Sequence, residues 1–149
     1  MTEPSRSRKR SKRQPPECGE FLDAVEGVIP ERVGEGIWGC ETAWDGERLF
    51  AAYEWTCDEG RRTASLRMQW FPGEAKIWLG SLEVAPENTG AGNGTALVNA
   101  LERAASVIGV QAIRLFSRRT TAEFWQRLGY EPEADPRYLS KTINEPSPT

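Results

Sequence analysis

The chain has 149 residues, a formal net charge of −3, three cysteines and no histidine. That length suits one domain with a sizeable core, and no apolar run is long enough to span a membrane. An odd number of cysteines without a C-x-x-C pair, and no imidazole at all, argue against a disulfide framework, a metal site and histidine-based catalysis. They point to a reducing, cytoplasmic setting.

Charge is uneven along the chain. Residues 1–16 hold Arg6, Arg8, Lys9, Arg10, Lys12 and Arg13 against Glu3, a local charge of +5, and the remainder carries −8. This Ser/Arg/Lys/Pro stretch has no apolar h-region, so it does not read as a secretory signal, and it cannot bury enough surface to fold alone. Residues 1–17 are therefore expected to be a disordered basic tail, 18–143 a folded domain, and 144–149, with two prolines, a frayed end. The next stretch, 20–26, has helical spacing in Phe21, Leu22 and Val25 and runs out at Gly27. Four strands follow. They cover 37–44, leading to an Asp45-Gly46 hairpin signal; 48–57, ending at Asp58-Glu59-Gly60; 64–71, turning at Pro72-Gly73; and 75–84, stopped at Pro86. Leu97, Leu101, Ala104, Ala105 and Ile108 then line one helical face, with Gly109 as a cap. A buried strand is predicted over 110–116. Thr120-x-x-Glu123 reads as a capping box opening a short helix that closes at Gly129, and 138–143 is a last strand. The order predicts an α+β fold: an antiparallel meander, a right-handed β-α-β crossover, then a final helix and strand.

The junction between the fourth strand and the long helix is the most specific segment. Val84 to Leu97 reads V-A-P-E-N-T-G-A-G-N-G-T-A-L. A helix N-terminus presents unpaired N–H groups and a positive dipole end, and glycines let that backbone approach an anion. A pyrophosphate cradle is the functional reading, and a plain connector the bland one. It is not a P-loop, because no lysine follows Gly94, and Gly90, Gly92 and Gly94 have the wrong spacing for a dinucleotide fingerprint.

Thr89-Gly90-Ala91-Gly92-Asn93-Gly94 resembles in frame the acyl-CoA loop of the GNAT acyltransferase superfamily, (Gln/Arg)-x-x-G-x-(Gly/Ala). Ala122-Glu123-Phe124-Trp125-Gln126-Arg127-Leu128-Gly129-Tyr130 is similar to that superfamily's A-x-x-F-Y-E-K-L-G-F helix. The resemblance covers 82–130, and it implies a GNAT-like mixed sheet and N-acetyl transfer from acetyl-CoA to a primary amine. One departure is that the family usually places two helices between its first and second strands, whereas here only one helix is expected, ahead of all the strands.

From the resemblance, acetyl-CoA is expected on the backbone of Leu82 and Val84, on the loop Thr89, Gly90, Ala91, Gly92, Asn93, Gly94 and Thr95, and beside Arg118 and Trp125, with the acyl carbonyl near Val84. Thr89 replaces the family's Gln/Arg, and Arg118 or Arg119 is expected to restore the charge. Trp125 stands where the family has a Tyr that returns a proton to the thiolate, so that acid is missing. Tyr138 is a substitute candidate, whereas Tyr130 sits at a core position. Glu83 and Glu54 are the candidate bases, each also readable as a solvated strand carboxylate. Five of the six tryptophans fall in the meander, as core and cross-strand packing or as an aromatic acceptor wall. The acidic body favours a cationic acceptor, either a small molecule or a basic peptide or protein. Two other functions stay open: a non-catalytic acyl-CoA-binding module, and an RNA- or ribosome-associated protein acting through its tail. Relatives often pair through their sheets, so a homodimer is one expected assembly.

Overall fold

Alternation along the meander strands sends successive side chains to opposite faces of a sheet, so one face collects the apolar residues. The computed structural model describes residues 8–9, 14–89 and 92–144. In chain order its elements are β1 (Arg8–Lys9), α1 (Pro16–Glu26), β2 (Arg32–Val33), β3 (Gly36–Trp44), β4 (Leu49–Thr56), β5 (Arg62–Phe71) and β6 (Lys76–Val84). They continue with α2 (Asn93–Val107), β7 (Ala112–Phe116), α3 (Ala122–Arg127), β8 (Glu131–Pro132) and β9 (Tyr138–Thr142). One sheet holds all the strands in the order β1-β3-β4-β5-β6-β7-β9-β8, with β2 beside β3. The meander β3–β6 is antiparallel, β6 and β7 are parallel across α2, and β9 returns antiparallel to β7. The expected α+β mixed sheet is what forms.

The edges of the domain differ from the sequence expectation. Part of the basic stretch lies outside the described residues, at 1–7 and 10–13, as do 145–149 at the other end. Within the tail, Arg8–Lys9 pair parallel with Cys40–Glu41, so a short strand precedes the helix that was expected ahead of all the strands. The first helix begins at Pro16, earlier than its apolar spacing reveals, because proline serves the first turn of a helix without needing an N–H. At the far end Asn144 belongs to the fold, its Nδ2 donating to the Val110 carbonyl at 2.8 Å. The Thr120–Glu123 capping box does not form. Thr121 takes the N-cap position with no side-chain cap bond, and its hydroxyl donates instead to the Arg118 carbonyl at 3.2 Å.

The apolar face is packed by the helices. Cross-strand rows Trp38–Trp55–Ala64, Cys40–Tyr53–Leu66 and Trp44–Leu49–Trp70 line it. Phe21 of α1 stacks on Trp70 with ring centroids 4.7 Å apart, and Leu97, Leu101, Ala104 and Ala105 of α2 complete the cluster. Trp38, Trp55, Trp70 and Trp125 are buried here, so the tryptophans serve mainly as core. Tyr53 is fully buried and donates to Glu26 Oε2 at 2.7 Å, and burial pushes its phenol well above the usual range. The opposite face carries Phe50, Gln69, Phe71, Trp78 and Arg114, none of them in the core cluster. Among the described residues no helix is long and apolar enough to cross a membrane.

One irregularity shapes the rest. The β5–β6 register passes from Arg67↔Ser81 to Met68↔Leu79, leaving Gly80 as an extra residue, a β-bulge. The bulge lets Leu79 and Leu82 both turn to the core, three residues apart. A Cβ there would meet the Arg67 carbonyl oxygen at 3.4 Å, an ordinary contact, so it is the register and not the residue type that makes the bulge.

Candidate functional site

Beyond the bulge, β6 and β7 part company. They pair only from Lys76–Leu79 against Ala112–Leu115, and Phe116 keeps only its β9 partner, Tyr138, on the other side of β7. From Gly80 to Val84, β6 has β5 on one side and no strand on the other, so its outward backbone groups are free to receive an extended ligand. The gap is a cleft of about 870 Å³. One wall is β6 from Leu79 to Val84, the other is Leu115, Phe116 and α3 with Phe124 and Trp125, and the end is the start of α2.

The α2 start presents backbone donors to the cleft. Gly92 is the N-cap at φ 79°, a left-handed turn that admits glycine readily, and no side chain caps the helix. The first internal bond is Ala96 N–H to the Gly92 carbonyl, so the amides of Asn93, Gly94 and Thr95 have no helical partner and face the cleft. The loop before them is braced: Ala85 N–H donates to the Thr63 carbonyl at 2.9 Å, and Asn93 Nδ2 to the Asn88 carbonyl at 2.9 Å. Fifteen residues of helix lie behind these amides, with their dipole directed at the cleft.

Of the residues singled out from sequence, Leu82, Val84, Thr89, Gly92, Asn93, Gly94, Thr95, Arg118 and Trp125 all line this one cleft. Gly90 and Ala91 lie outside the described residues. Thr89 lines the cleft but its hydroxyl donates to the Pro86 carbonyl at 2.8 Å, so it does not stand in as a free donor for the family's longer side chain. Arg118 is exposed at the rim. Arg127, which sequence reasoning missed, lines the cleft from α3. It belongs to the second motif, but only the packing of α3 beside α2 shows that it faces the same space.

The acid–base candidates separate. Glu83 lines the cleft, with its side chain 63% exposed and Arg62 Nη2 at 3.4 Å. Glu54 does not line it; it holds the same arginine at 3.1 Å and Arg67 at 3.5 Å. Tyr138 is not a cleft residue either. Its ring packs against Trp78 and Phe116, with the Arg114 guanidinium 4.6 Å over it. Tyr130 is core, as its motif position implies, donating to Glu102 Oε2 at 3.0 Å, and burial raises its pKa. Among the described residues, no phenol therefore lines the cleft.

An uncapped helix start thus stands at the end of a split parallel pair of strands. The sequence model of the acetyltransferase (GNAT) domain matches residues 45–132. The chain belongs to the GNAT acetyltransferase family and is an acyltransferase of that kind. No curated protein sequence matches it. Solved structures agree on the fold. Tetrahymena GCN5 superposes with a TM-score of 0.55 at 8% identity, over 90% of this chain and 91% of that one. A nourseothricin acetyltransferase gives 0.54 at 18% identity, over 67% and 68%. The PaiA N-acetyltransferase of Thermoplasma acidophilum, solved with coenzyme A, gives 0.51 at 20% identity, over 64% and 61%.

Proposed function

We propose that this protein transfers the acetyl group of acetyl-CoA to a primary amine. The observation that carries the reading is the continuity of one cleft from the free amides of α2 to the unpaired edge of β6. Acetyl-CoA supplies, when bound, a thioester whose carbonyl carbon is open to an amine. The amides of Asn93, Gly94 and Thr95 suit its pyrophosphate, with Arg118 and Arg127 adding positive charge around the phosphates. The edge of β6 suits the pantetheine arm, which it would take up like an added strand. Val84 lies at the cradle end and Gly80 about 13 Å further along the strand. The acyl group therefore belongs near Gly80–Leu82 rather than near Val84, where the sequence alone suggested it.

Within that frame the chain's own groups divide the work. Glu83 is the carboxylate of the cleft and receives the ammonium proton of the acceptor, directly or across one water. Arg62, shared with Glu54, fixes its direction. Solvent protonates the departing thiolate, since no phenol is present to do so and a thiolate leaves readily. Most of the acceleration then comes from holding the amine and the acyl carbon together. The missing phenol also favours a second reading, a carrier-binding module without turnover.

Two measurements decide. Melting temperature should rise on adding acetyl-CoA or CoA, as it does for any ligand that binds only the folded state. Thiol release from acetyl-CoA should depend on an added primary amine. Stabilisation without release from any amine selects the module; no stabilisation at millimolar carrier rejects both readings.

A further inference from the structure

Two observations meet at the β-bulge. A second cavity, of about 480 Å³, is lined by side chains of the uncovered sheet face, Phe50 and Gln69 among them, and Gly80 and Ser81 line both it and the carrier cleft. The register also sets Ser81 and Glu83 on that face. Ser81 pairs with the exposed Arg67 and Glu83 with Ser65, while Leu82 between them pairs with the buried Leu66. We infer that Ser81 is a further catalytic residue of the transfer: its Oγ accepts a hydrogen bond from the attacking nitrogen and so aims it at the acyl carbon. The inference rests on the acetyl-transfer reading, which places the acyl group beside Gly80–Leu82.

Elimination among the hydroxyls of the cleft selects Ser81. Among the described residues Ser81, Thr89, Thr95, Thr120 and Thr121 line it. Thr89 and Thr121 already donate, to the Pro86 carbonyl at 2.8 Å and the Arg118 carbonyl at 3.2 Å. Thr95 stands in the first turn of α2, at the cradle end, and Thr120 is exposed ahead of α3, on the opposite wall. Ser81 is half-buried on the strand segment beside the acyl group, and its hydroxyl has no hydrogen-bond partner among the described residues. Its lone pairs are therefore open to a substrate N–H. Glu83 follows two residues on, about 7 Å along the strand, so a nitrogen held at Ser81 reaches that carboxylate across one water. In the step the nitrogen bonds the acyl carbon, the C–S bond breaks, and its electron pair leaves with the thiolate. The proton that the nitrogen gives up passes through the water to Glu83. Ser81 holds the other N–H and neither gains nor loses a proton.

A pair of near-isosteric substitutions tests the inference, with turnover read by thiol release from acetyl-CoA. Ser81→Thr keeps the oxygen and Ser81→Val removes it, and both suit a strand. With butylamine as acceptor, Ser81→Val should lower kcat about ten-fold, the worth of one hydrogen bond at the reacting nitrogen. Ser81→Thr should retain most of the rate. Melting temperature and calorimetric affinity for CoA should stay unmoved in both. N-methylbutylamine supplies a signature that a structural role would not. It offers one N–H where butylamine offers two, and that one must go to the water before Glu83, so the loss in Ser81→Val should disappear with it. Equal losses for the two amines, or equal losses for the two substitutions, overturn the assignment and leave the transfer reading standing. Where N-methylbutylamine is not turned over, the contrast between the two substitutions decides alone. If neither butylamine nor any other primary amine makes the unaltered chain release thiol, the transfer reading falls and the assignment with it.

Discussion

The two sides of β6 are built from different materials. Toward α2 the protein presents backbone: an open strand edge, a glycine cap at positive φ and three amides without helical partners. Toward the uncovered sheet face it presents side chains, with Glu41, Phe50, Gln69 and Ser81 drawn from four strands. A backbone site recognises what every carrier molecule shares, whereas a side-chain site recognises what distinguishes one acceptor from another. The comparison breaks if a change on one side registers on the other.

The largest effect is expected at the cradle. Gly92→Glu forces a non-glycine residue to φ 79° and aims a carboxylate at the phosphates. Affinity for CoA should fall by about 100-fold or more in calorimetry, while circular dichroism stays native, because among the described residues, its chain neighbours aside, no atom lies within 4 Å of a Cβ at this position. If binding is unchanged, the anion site is not at the helix start.

Next comes the acid–base step, where the two sides should come apart. Glu83→Gln should lower kcat about 100-fold and leave the CoA dissociation constant unaltered. Glu54→Gln should cost far less, because Glu54 only shares Arg62 with Glu83. Equal losses from the two substitutions would remove Glu83 as the base. Thr89→Arg is the smaller counterpart on the carrier side. Restoring the long cation should tighten CoA about five-fold at low salt, an advantage that fades as salt screens the exposed pair.

The same contrast explains which features could be read from sequence. A cradle made of backbone needs glycines, a helix start and an upstream strand stop, and all three leave marks between Val84 and Leu97. The meander, the crossover and the helix faces were legible for a related reason, since alternation and helical spacing are local. The split of β6 from β7 was not legible, because Gly80 becomes a bulge only through its cross-strand register with Arg67 and Met68. Arg127 was likewise hidden, because its role depends on where α3 packs. Tyr138 and Glu54 were chosen by residue type, and the sheet carries both away from the cleft. The row across the uncovered sheet face joins residues 41, 52, 67 and 81, a combination that no single window of sequence contains.

The two halves also share a device, and alkali exposes it. Tyr53 in the meander donates to Glu26, and Tyr130 after α3 donates to Glu102, both from buried positions that keep the phenols protonated far above their usual range. In the unfolded chain each phenol releases its proton near pH 10. Above that pH the unfolded state binds fewer protons than the folded one, so stability falls as pH rises and is unaffected by these phenols below it. The slope is about 1.4 kcal/mol per pH unit for each phenol. Cys18, whose thiol burial pushes up to about 11, adds the same sign from about pH 9. Tyr53→Phe and Tyr130→Phe should each lower stability at neutral pH by about 1 kcal/mol through the lost hydrogen bond, and each should flatten the alkaline slope. Urea melts between pH 8 and pH 11 give both numbers. Similar flattening from either substitution means that the meander and the second half of the sheet unfold as one unit. If only one substitution flattens the slope, the halves melt separately, and the sheet that joins them transmits less than its continuous ladder suggests.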